Sequence, residues 1–186
     1  MGNTQLRIIS PAVFIFLTKA TFAAGLTSFV GVGLGNTSAN IPGASGQMAA
    51  SSSGYRLIAG NQIGQYLAVE AEYVDLGELT ASSAKVAAKG LGIFGVLAIP
   101  MTNMFSAYGR AGLARIETIV TPLPGAATTL ASDSVVGLSL GYGVQLDVSP
   151  NASLRLAWDR YKCSTLAASF TDRIDMNSSA LLIFRF

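Results

Sequence analysis

Two short motifs in the sequence have the spacing of reactive or ligand-binding sites. Ser82 and Lys85 have the Ser-x-x-Lys spacing of serine acyl enzymes, in which the lysine helps to activate the serine. Gly31, Gly33 and Gly35 alternate as in a loop that holds phosphate groups. No second acyl-enzyme motif accompanies the first, and no helix that could bind an anion is expected after the glycines. Chance spacing and close packing of strands explain the two motifs better.

The composition excludes several kinds of chemistry. The chain contains no histidine, which removes Ser-His hydrolase chemistry, histidine metal sites and the usual general base. Cys163 is the single cysteine, so an intramolecular disulfide and a cysteine metal cluster are excluded. We expect an unpaired thiol near the end of a strand. The sequence therefore predicts a protein that is not an enzyme and that holds neither a metal nor a cofactor.

Charged side chains recur at every second position in several segments, opposite apolar side chains. Glu70 and Glu72 share one face of a segment whose other face is apolar, and Arg155 and Asp159 do the same in a later segment. A period of two predicts strands. Charges that face a low-dielectric interior must be paired, because an unpaired one costs several kcal/mol. The charges that this alternation turns inward are Arg56, Glu70, Glu72, Arg155, Asp159 and Arg185.

Eight strands can be placed along the sequence, and the lengths of their connections alternate. The predicted strands are 26–36, 54–63, 66–77, 88–99, 104–118, 134–148, 152–163 and 175–186. The short connections are predicted at 63–65, 100–103 and 149–151, and the long ones at 37–53, 78–87, 119–133 and 164–174. Outer-membrane barrels have short periplasmic turns and longer outside loops, whereas a soluble β-sandwich has no reason to alternate in this way.

The last predicted strand has an apolar face that ends in an aromatic residue. Ala180, Leu182, Phe184 and Phe186 share that face. An apolar sheet edge is an aggregation hazard unless the strand closes a barrel against the first strand and faces lipid. We therefore predict an all-β fold, an eight-stranded antiparallel up-and-down transmembrane β-barrel. Its interfacial aromatic girdle is predicted to contain Tyr55, Tyr66, Tyr73, Phe105, Trp158, Tyr161, Phe184 and Phe186.

The overall composition and the N-terminal residues indicate export to a membrane. The chain is 51% hydrophobic and 12% charged, yet no uncharged apolar run reaches the roughly 18 residues of a helical span. Residues 1–23 have the order of a secretory signal peptide, which leaves 24–186 as the outer-membrane β-barrel. Without Arg7 and Lys19, 10 of the 12 basic residues remain and balance the 10 acidic ones. No nucleic-acid partner is expected.

Four segments carry a resemblance that covers essentially the whole chain: Gly54–Gly77, Phe105–Thr118, Gly141–Lys162 and Leu181–Phe186. In their order and spacing they resemble the OmpA-type family of small eight-stranded outer-membrane barrels. The resemblance implies a multi-pass β-barrel in the outer membrane of a Gram-negative bacterium. Full-length relatives often continue into a soluble peptidoglycan-binding domain, whose function is not expected for this barrel.

The resemblance also implies a polar network inside the barrel. Glu70 matches the family's lumen glutamate, Arg110 its fifth-strand arginine and Arg155 its seventh-strand arginine. Two positions depart from the family, because its fourth-strand lysine falls at Val96 and its sixth-strand glutamate at Gln145. Resemblance and alternation together predict a lumen network of Arg56, Glu70, Glu72, Arg110, Gln145, Arg155, Asp159 and Arg185. A structural plug is favoured over a regulated pore, because eight-stranded lumens are narrow.

Two classes of function remain open at this point. The first is a structural or surface barrel with a polar-plugged lumen or a narrow or intermittent porin-like pore. Its expected partners are outer-membrane lipid and, by resemblance, the barrel-assembly machinery, for which Phe186 is part of the recognition signal. The sequence predicts no ligand for the loops. The second class is a soluble periplasmic or secreted ligand-binding barrel of the lipocalin kind, with apolar side chains inside and charges outside.

Overall fold

The computed structural model describes residues 26–43, 46–80, 84–123, 131–162 and 173–186, which form a closed β-barrel. Each strand pairs antiparallel with the next, and the eighth pairs with the first. The predicted fold class is confirmed. The predicted signal peptide and Cys163 lie outside the described residues. No helix in the described ranges is long and apolar enough to cross a membrane.

Most of the strands are longer than the sequence predicted. In chain order they are β1 Leu26–Gly43, β2 Gly46–Ile63, β3 Leu67–Thr80, β4 Ala84–Pro100, β5 Phe105–Pro122, β6 Ala131–Ser149, β7 Ala152–Lys162 and β8 Arg173–Arg185. At one end of the barrel the connections are short, at 64–66, 101–104 and 150–151. We call this the short-turn end and the opposite one the long-loop end. Gly64 has a positive φ of 74°, a backbone conformation that residues with a side chain rarely adopt.

The stagger of the strands follows from their register. Ser28 of β1 has a register partner on β2, that residue has a partner on β3, and the series can be continued through all eight strands. It returns to β1 at Ser38, ten residues beyond its starting point. A stagger of this kind requires the strands to tilt against the barrel axis. With eight strands, the interior has room for side chains and little else.

Two of the predicted long connections are wrong, because most of their residues belong to strands. β1 and β2 continue until Gly43 pairs with Gly46, so residues 37–43 and 46–53 of the predicted loop 37–53 are strand. The predicted loop 78–87 is likewise largely strand, and the described ends of the predicted loop 119–133, at 119–122 and 131–133, belong to β5 and β6. Inward side chains explain the extension, since Leu79 and Val120 are buried in the part of the barrel that was expected to be loop. Residues 164–172 of the fourth predicted loop lie outside the described residues.

The outer surface carries an apolar belt, and charged side chains follow it toward the long-loop end. On β4, Leu91 and Ile93 are 64% and 65% exposed, whereas the next outward residue toward the long-loop end is Lys89. On β5, the outward residue after Leu113 is Arg115. Large apolar residues exposed in this way are suited to lipid. The girdle aromatics that are exposed on this surface are Tyr55, Tyr66, Trp158, Phe184 and Phe186.

The interior is filled in layers. Toward the long-loop end lies an upper cluster of Ala39, Val74, Leu76, Leu79, Val86, Ala88, Phe94, Ala114, Ile116, Val120, Tyr161 and Met176. A lower cluster, nearer the short-turn end, contains Phe29, Ile58, Val96, Tyr108, Ala157, Leu181 and Ile183. Buried charged side chains lie beside these clusters and form the site described next.

Candidate functional site in the barrel lumen

The charged side chains of the lumen come from inward positions of different strands. β2 supplies Arg56, β3 supplies Glu70 and Glu72, and β5 supplies Arg110. Their residues are between 0% and 5% exposed. Because inward positions recur at every second residue of a strand, the two glutamates point into the lumen one above the other. The closed sheet then brings charges from distant parts of the sequence within contact.

Arg110 has the largest number of charged partners. Its Nη1 donates to Glu72 Oε2 at 2.7 Å and to Glu70 Oε1 at 3.2 Å. Its Nε donates to Asp159 Oδ1 at 2.6 Å, and its Nη2 donates to the hydroxyl of Tyr161 at 2.9 Å. One guanidinium thereby joins three carboxylates from β3 and β7. Charge-assisted bonds of this kind are stronger than neutral ones.

Arg56 extends the network toward β8. Its Nη1 donates to Asp159 Oδ2 and lies 3.4 Å from Glu72 Oε2, while its Nη2 donates to the hydroxyl of Ser179. The Tyr161 hydroxyl donates in turn to Glu72 Oε1 at 2.7 Å. Asp159 and Glu72 therefore each contact both Arg56 and Arg110, and neither carboxylate depends on one arginine alone.

Arg155 connects this centre to the short-turn end. Its Nη1 donates to Glu70 Oε2 at 2.6 Å, and its Nη2 donates to Gln145 Oε1 at 3.1 Å. Gln145 Nε2 donates to Asp147 Oδ1 at 3.1 Å, and the same oxygen accepts from Arg185 Nη2 at 2.9 Å. Gln145, where the resemblance implies a glutamate, thus connects Arg155 to Asp147 through hydrogen bonds without a charge of its own.

The charges of the network balance. It contains four arginines, Arg56, Arg110, Arg155 and Arg185, and four carboxylates, Glu70, Glu72, Asp147 and Asp159. Burying ions costs free energy that is recovered only with good geometry and further hydrogen bonds. Removing one of the buried members, such as Arg110, leaves its partners buried and under-compensated, which is far more costly than the net contribution of the intact pair.

Aromatic rings cover two of the arginines. The guanidinium carbon of Arg110 lies 4.2 Å from the ring centroid of Phe94, and that of Arg155 lies 4.5 Å from the ring centroid of Tyr108. Both distances allow cation–π attraction. Val96, where the resemblance implies a lysine, is buried in the lower cluster. β4 therefore supplies an aromatic ring and an aliphatic side chain to the lumen.

The structure brings all eight predicted lumen residues into one connected network of hydrogen bonds and ion pairs. Sequence reasoning missed Asp147 and Tyr161, although each lies two residues from a predicted member, Gln145 and Asp159, and hence on the same face. The prediction that Tyr161 belongs to the aromatic girdle is wrong, because its side chain is buried in the lumen. Within the described ranges, no group of three or more His, Cys, Asp and Glu residues could hold a metal ion.

The sequence profile of a family described as OmpA-like transmembrane domain matches residues 23–174. No curated protein sequence matches the chain. Among solved structures, Neisserial surface protein A has a TM-score of 0.68 at 17% identity, over 87% of this chain and 99% of that one. The N-terminal β-barrel domain of OprF from Pseudomonas aeruginosa has a TM-score of 0.60 at 12% identity, over 86% and 97% of the two chains.

A third similar structure is Ail, the attachment invasion locus protein of Yersinia pestis, in complex with the heparin analogue sucrose octasulfate. Its TM-score is 0.56 at 15% identity, over 87% of this chain and 99% of that one. At such identities, the likeness to the three structures shows a common fold. The family match rests on the sequence itself and covers most of the chain.

Proposed function

Because the chain belongs to the OmpA-like transmembrane domain family, we propose that this outer-membrane β-barrel has a structural or surface role and a plugged lumen. The family is one of transmembrane barrels, which supports a role without catalysis. The lipocalin-like alternative fails, because such a barrel keeps apolar side chains inside and charges outside. Here Glu70 and Arg110 are buried in the lumen, whereas Leu91 and Leu138 are exposed on the outer surface.

The observation that carries the plug proposal is the continuous network from Arg56 to Arg185, which runs from the centre of the lumen past the lower cluster to the short-turn end. An ion crossing the lumen would have to separate charges that already neutralise one another. It would also have to displace fully buried side chains such as Leu76 and Ile116 in the upper cluster. Both steps are unfavourable in a close-packed interior. The arrangement therefore supports a barrel that does not form a wide, permanent channel.

A narrow or intermittent pore is the second candidate. The observation that favours it is a pair of buried polar atoms, Arg56 Nε and the Tyr108 hydroxyl, which have no hydrogen-bond partner among the described residues. Buried polar groups of this kind are suitable positions for internal water. Water beside the network would allow brief, small conductance events without a permanent channel.

Planar-bilayer recordings of the refolded barrel test the proposal. We expect no steady wide conductance from the unmutated protein. Arg155→Ala removes one arginine and leaves Glu70 in contact with Arg110, so we expect lower stability without a large open pore. Lys85→Ala, in an exposed ion pair with Glu78, is the matched control. A wide, steady pore in the unmutated protein would overturn the plug proposal, and brief small events would favour the second candidate.

We also propose that Phe186 serves as part of the signal for the barrel-assembly machinery. Its backbone exchanges two hydrogen bonds with Ser28 on β1, at 2.9 and 3.2 Å, and its side chain is 64% exposed. The ring is therefore available to another protein without supporting the lumen. Phe186→Ala should reduce insertion in cells and leave the barrel refolded in detergent unchanged. Phe184→Ala is the control, and normal insertion kinetics of Phe186→Ala would exclude the role.

The surface role has no assigned partner. Ail was crystallised with a heparin analogue, a sulfated polyanion that basic residues would bind. In this chain, the β1–β2 hairpin from Thr37 to Ser53 contains no charged residue. A sulfated polyanion would therefore find no basic residue in this segment, and contact with outer-membrane lipid is the partner interaction that the barrel requires.

A further inference from the structure

The turn between β4 and β5, at the short-turn end, contains two methionines. Met101 and Met104 are 66% and 55% exposed, and Thr102 and Asn103 lie between them. Turns are usually formed by Gly, Pro, Asn, Asp and Ser, each for a conformational reason that methionine lacks. The other two short turns, at 64–66 and 150–151, contain no methionine. The methionine pair is therefore not required by the turn itself.

Hydrogen bonds fix the backbone on which the two methionines lie. The N–H of Met101 donates to the carbonyl of Phe105 at 2.9 Å. The Thr102 hydroxyl accepts from the N–H groups of Met104 and Phe105, at 3.3 and 3.0 Å. The carbonyl of Met104 accepts from the N–H of Asp147 on β6 at 2.7 Å. Because Met101 bonds to Phe105, the residue that follows Met104, the chain reverses tightly and the backbones of the two methionines lie close together.

The thioether sulfur of methionine is a soft, uncharged metal ligand. Thiolates and thioethers select Cu(I), whereas carboxylate and carbonyl oxygens suit harder cations such as Mg²⁺. Each methionine has three rotatable bonds, so two sulfurs that start from neighbouring backbone positions can reach one cation. Cu(I) and Ag(I) accept two ligands in a linear arrangement, and the turn supplies two. The chain has no histidine and one cysteine, so methionines are most of its soft ligands.

The alternative role of the two side chains is to extend the apolar belt. Ile99, which precedes the turn on β4, is 59% exposed and belongs to that belt. A belt residue needs apolar surface, and leucine supplies as much of it as methionine does, because the two have similar volumes. A metal ligand needs the sulfur. Substitution by leucine therefore separates the two roles.

We propose that Met101 and Met104 together bind one soft monovalent cation of the Cu(I) type through their thioether sulfurs. The site lies on the turn between β4 and β5, outside the lumen. Asp147 contributes only its backbone N–H to the turn, while its carboxylate belongs to the lumen network. The proposal replaces the expectation that the barrel holds no metal, which considered histidine and cysteine ligands.

Titration of the refolded full chain with silver nitrate, followed by native mass spectrometry, tests the site. Ag(I) resembles Cu(I) in charge and softness and is stable in air. Every variant also carries Cys163→Ala, because a thiolate would bind the same ion. We expect one silver ion per barrel, which excess Zn(II) should not displace. Met101→Leu and Met104→Leu should each weaken silver binding at least about tenfold, since even an outer partner of a metal ligand contributes that much.

Met48→Leu is the matched control. It removes one thioether from the β1–β2 hairpin, where no second methionine is near in the sequence, and it should leave silver binding unchanged. Heat-dependent gel mobility shows that each variant is folded. If the barrel with Cys163→Ala alone retained no silver, or if Met101→Leu and Met104→Leu bound silver as tightly as it does, the proposal would be overturned. The pair would then belong to the apolar belt alone.

Discussion

The lumen network and the upper cluster lie in the same lumen, but the first is charged and the second is apolar. In the network, Arg56 and Arg110 are almost fully buried, and each of them forms ion pairs with at least two carboxylates. In the upper cluster, Leu76, Ile116 and Met176 are equally buried and contact other apolar side chains. The two regions share strands β3, β5, β7 and β8, so the change occurs along the strands rather than between them.

The outward side chains change from apolar to polar at about the level along the strands where the inward side chains change from charged to apolar. Beside the network, the outward residues belong to the apolar belt that faces lipid, such as Ile93 and Leu140. Beside the upper cluster, outward residues such as Glu117 and Thr121 are polar and exposed. A strand surrounded by lipid can place its charges only inside, whereas one surrounded by water buries its apolar side chains. The barrel therefore reverses its polarity along its axis.

The largest effect is expected from removing the most highly connected charge of the network. Arg110→Met keeps a similar length but leaves Glu70, Glu72 and Asp159 with fewer cations. Breaking buried ion pairs in this way should lower the free energy of unfolding by about 4 kcal/mol. Urea unfolding in lipid vesicles, followed by fluorescence of Trp158, the single tryptophan, measures it. A change below about 1 kcal/mol, the range of exposed pairs, would show that the network is hydrated.

A smaller effect is expected from the apolar region. Ile116→Ala removes a fully buried side chain from the upper cluster and should lower the free energy of unfolding by about 3 kcal/mol through lost burial and a cavity. The same unfolding assay applies. High salt should weaken the effect of Arg110→Met if water reaches the network, and it should leave the effect of Ile116→Ala unchanged. If Ile116→Ala did not change the free energy of unfolding, the upper cluster would not contribute to the stability of the barrel.

The position of the polarity reversal can be measured with two outward substitutions on one strand. Ala111 faces the apolar belt, and Thr121 lies ten residues further along β5, toward the long-loop end. Ala111→Lys should cost about 2 kcal/mol, because a lysine facing lipid near mid-membrane is unfavourable. Thr121→Lys should cost less than about 0.5 kcal/mol, as expected for a surface change in water. Equal costs would contradict a reversal between the two positions.

The smallest effect is expected from an ion pair on the outer surface. Lys85 and Glu78 lie 2.7 Å apart, as close as charges in the network, but their side chains are 42% and 52% exposed. Glu78→Gln should change the free energy of unfolding by less than about 0.5 kcal/mol, because solvent weakens the attraction. The comparison with Arg110→Met separates the effect of burial on an ion pair from the effect of the distance between its charges. If Glu78→Gln lowered the free energy of unfolding as much as Arg110→Met, the distance alone would determine the strength of the pair.

Much of the fold could be predicted because the alternation of apolar and polar residues is visible within each short segment of the sequence. The inward positions of Glu70, Glu72, Arg155 and Asp159 follow from apolar neighbours on either side. The strand extensions were missed, because segments such as 37–53 are small and polar and resemble loops. Tyr161 was misassigned because an aromatic side chain near a strand end suggested the interface. Its position two residues after Asp159 was the better guide.

The sequence by itself determined the class of fold, the membrane environment and the face on which most charged side chains lie. A period of two contains that information in any short stretch of a strand. Only the tertiary structure decided that Arg110 contacts Glu70, Glu72 and Asp159 and that Phe94 covers it. These contacts depend on the register of the strands around the closed barrel and on its ten-residue stagger. No single strand contains that information, because the partners of an inward side chain belong to strands that are distant in the sequence.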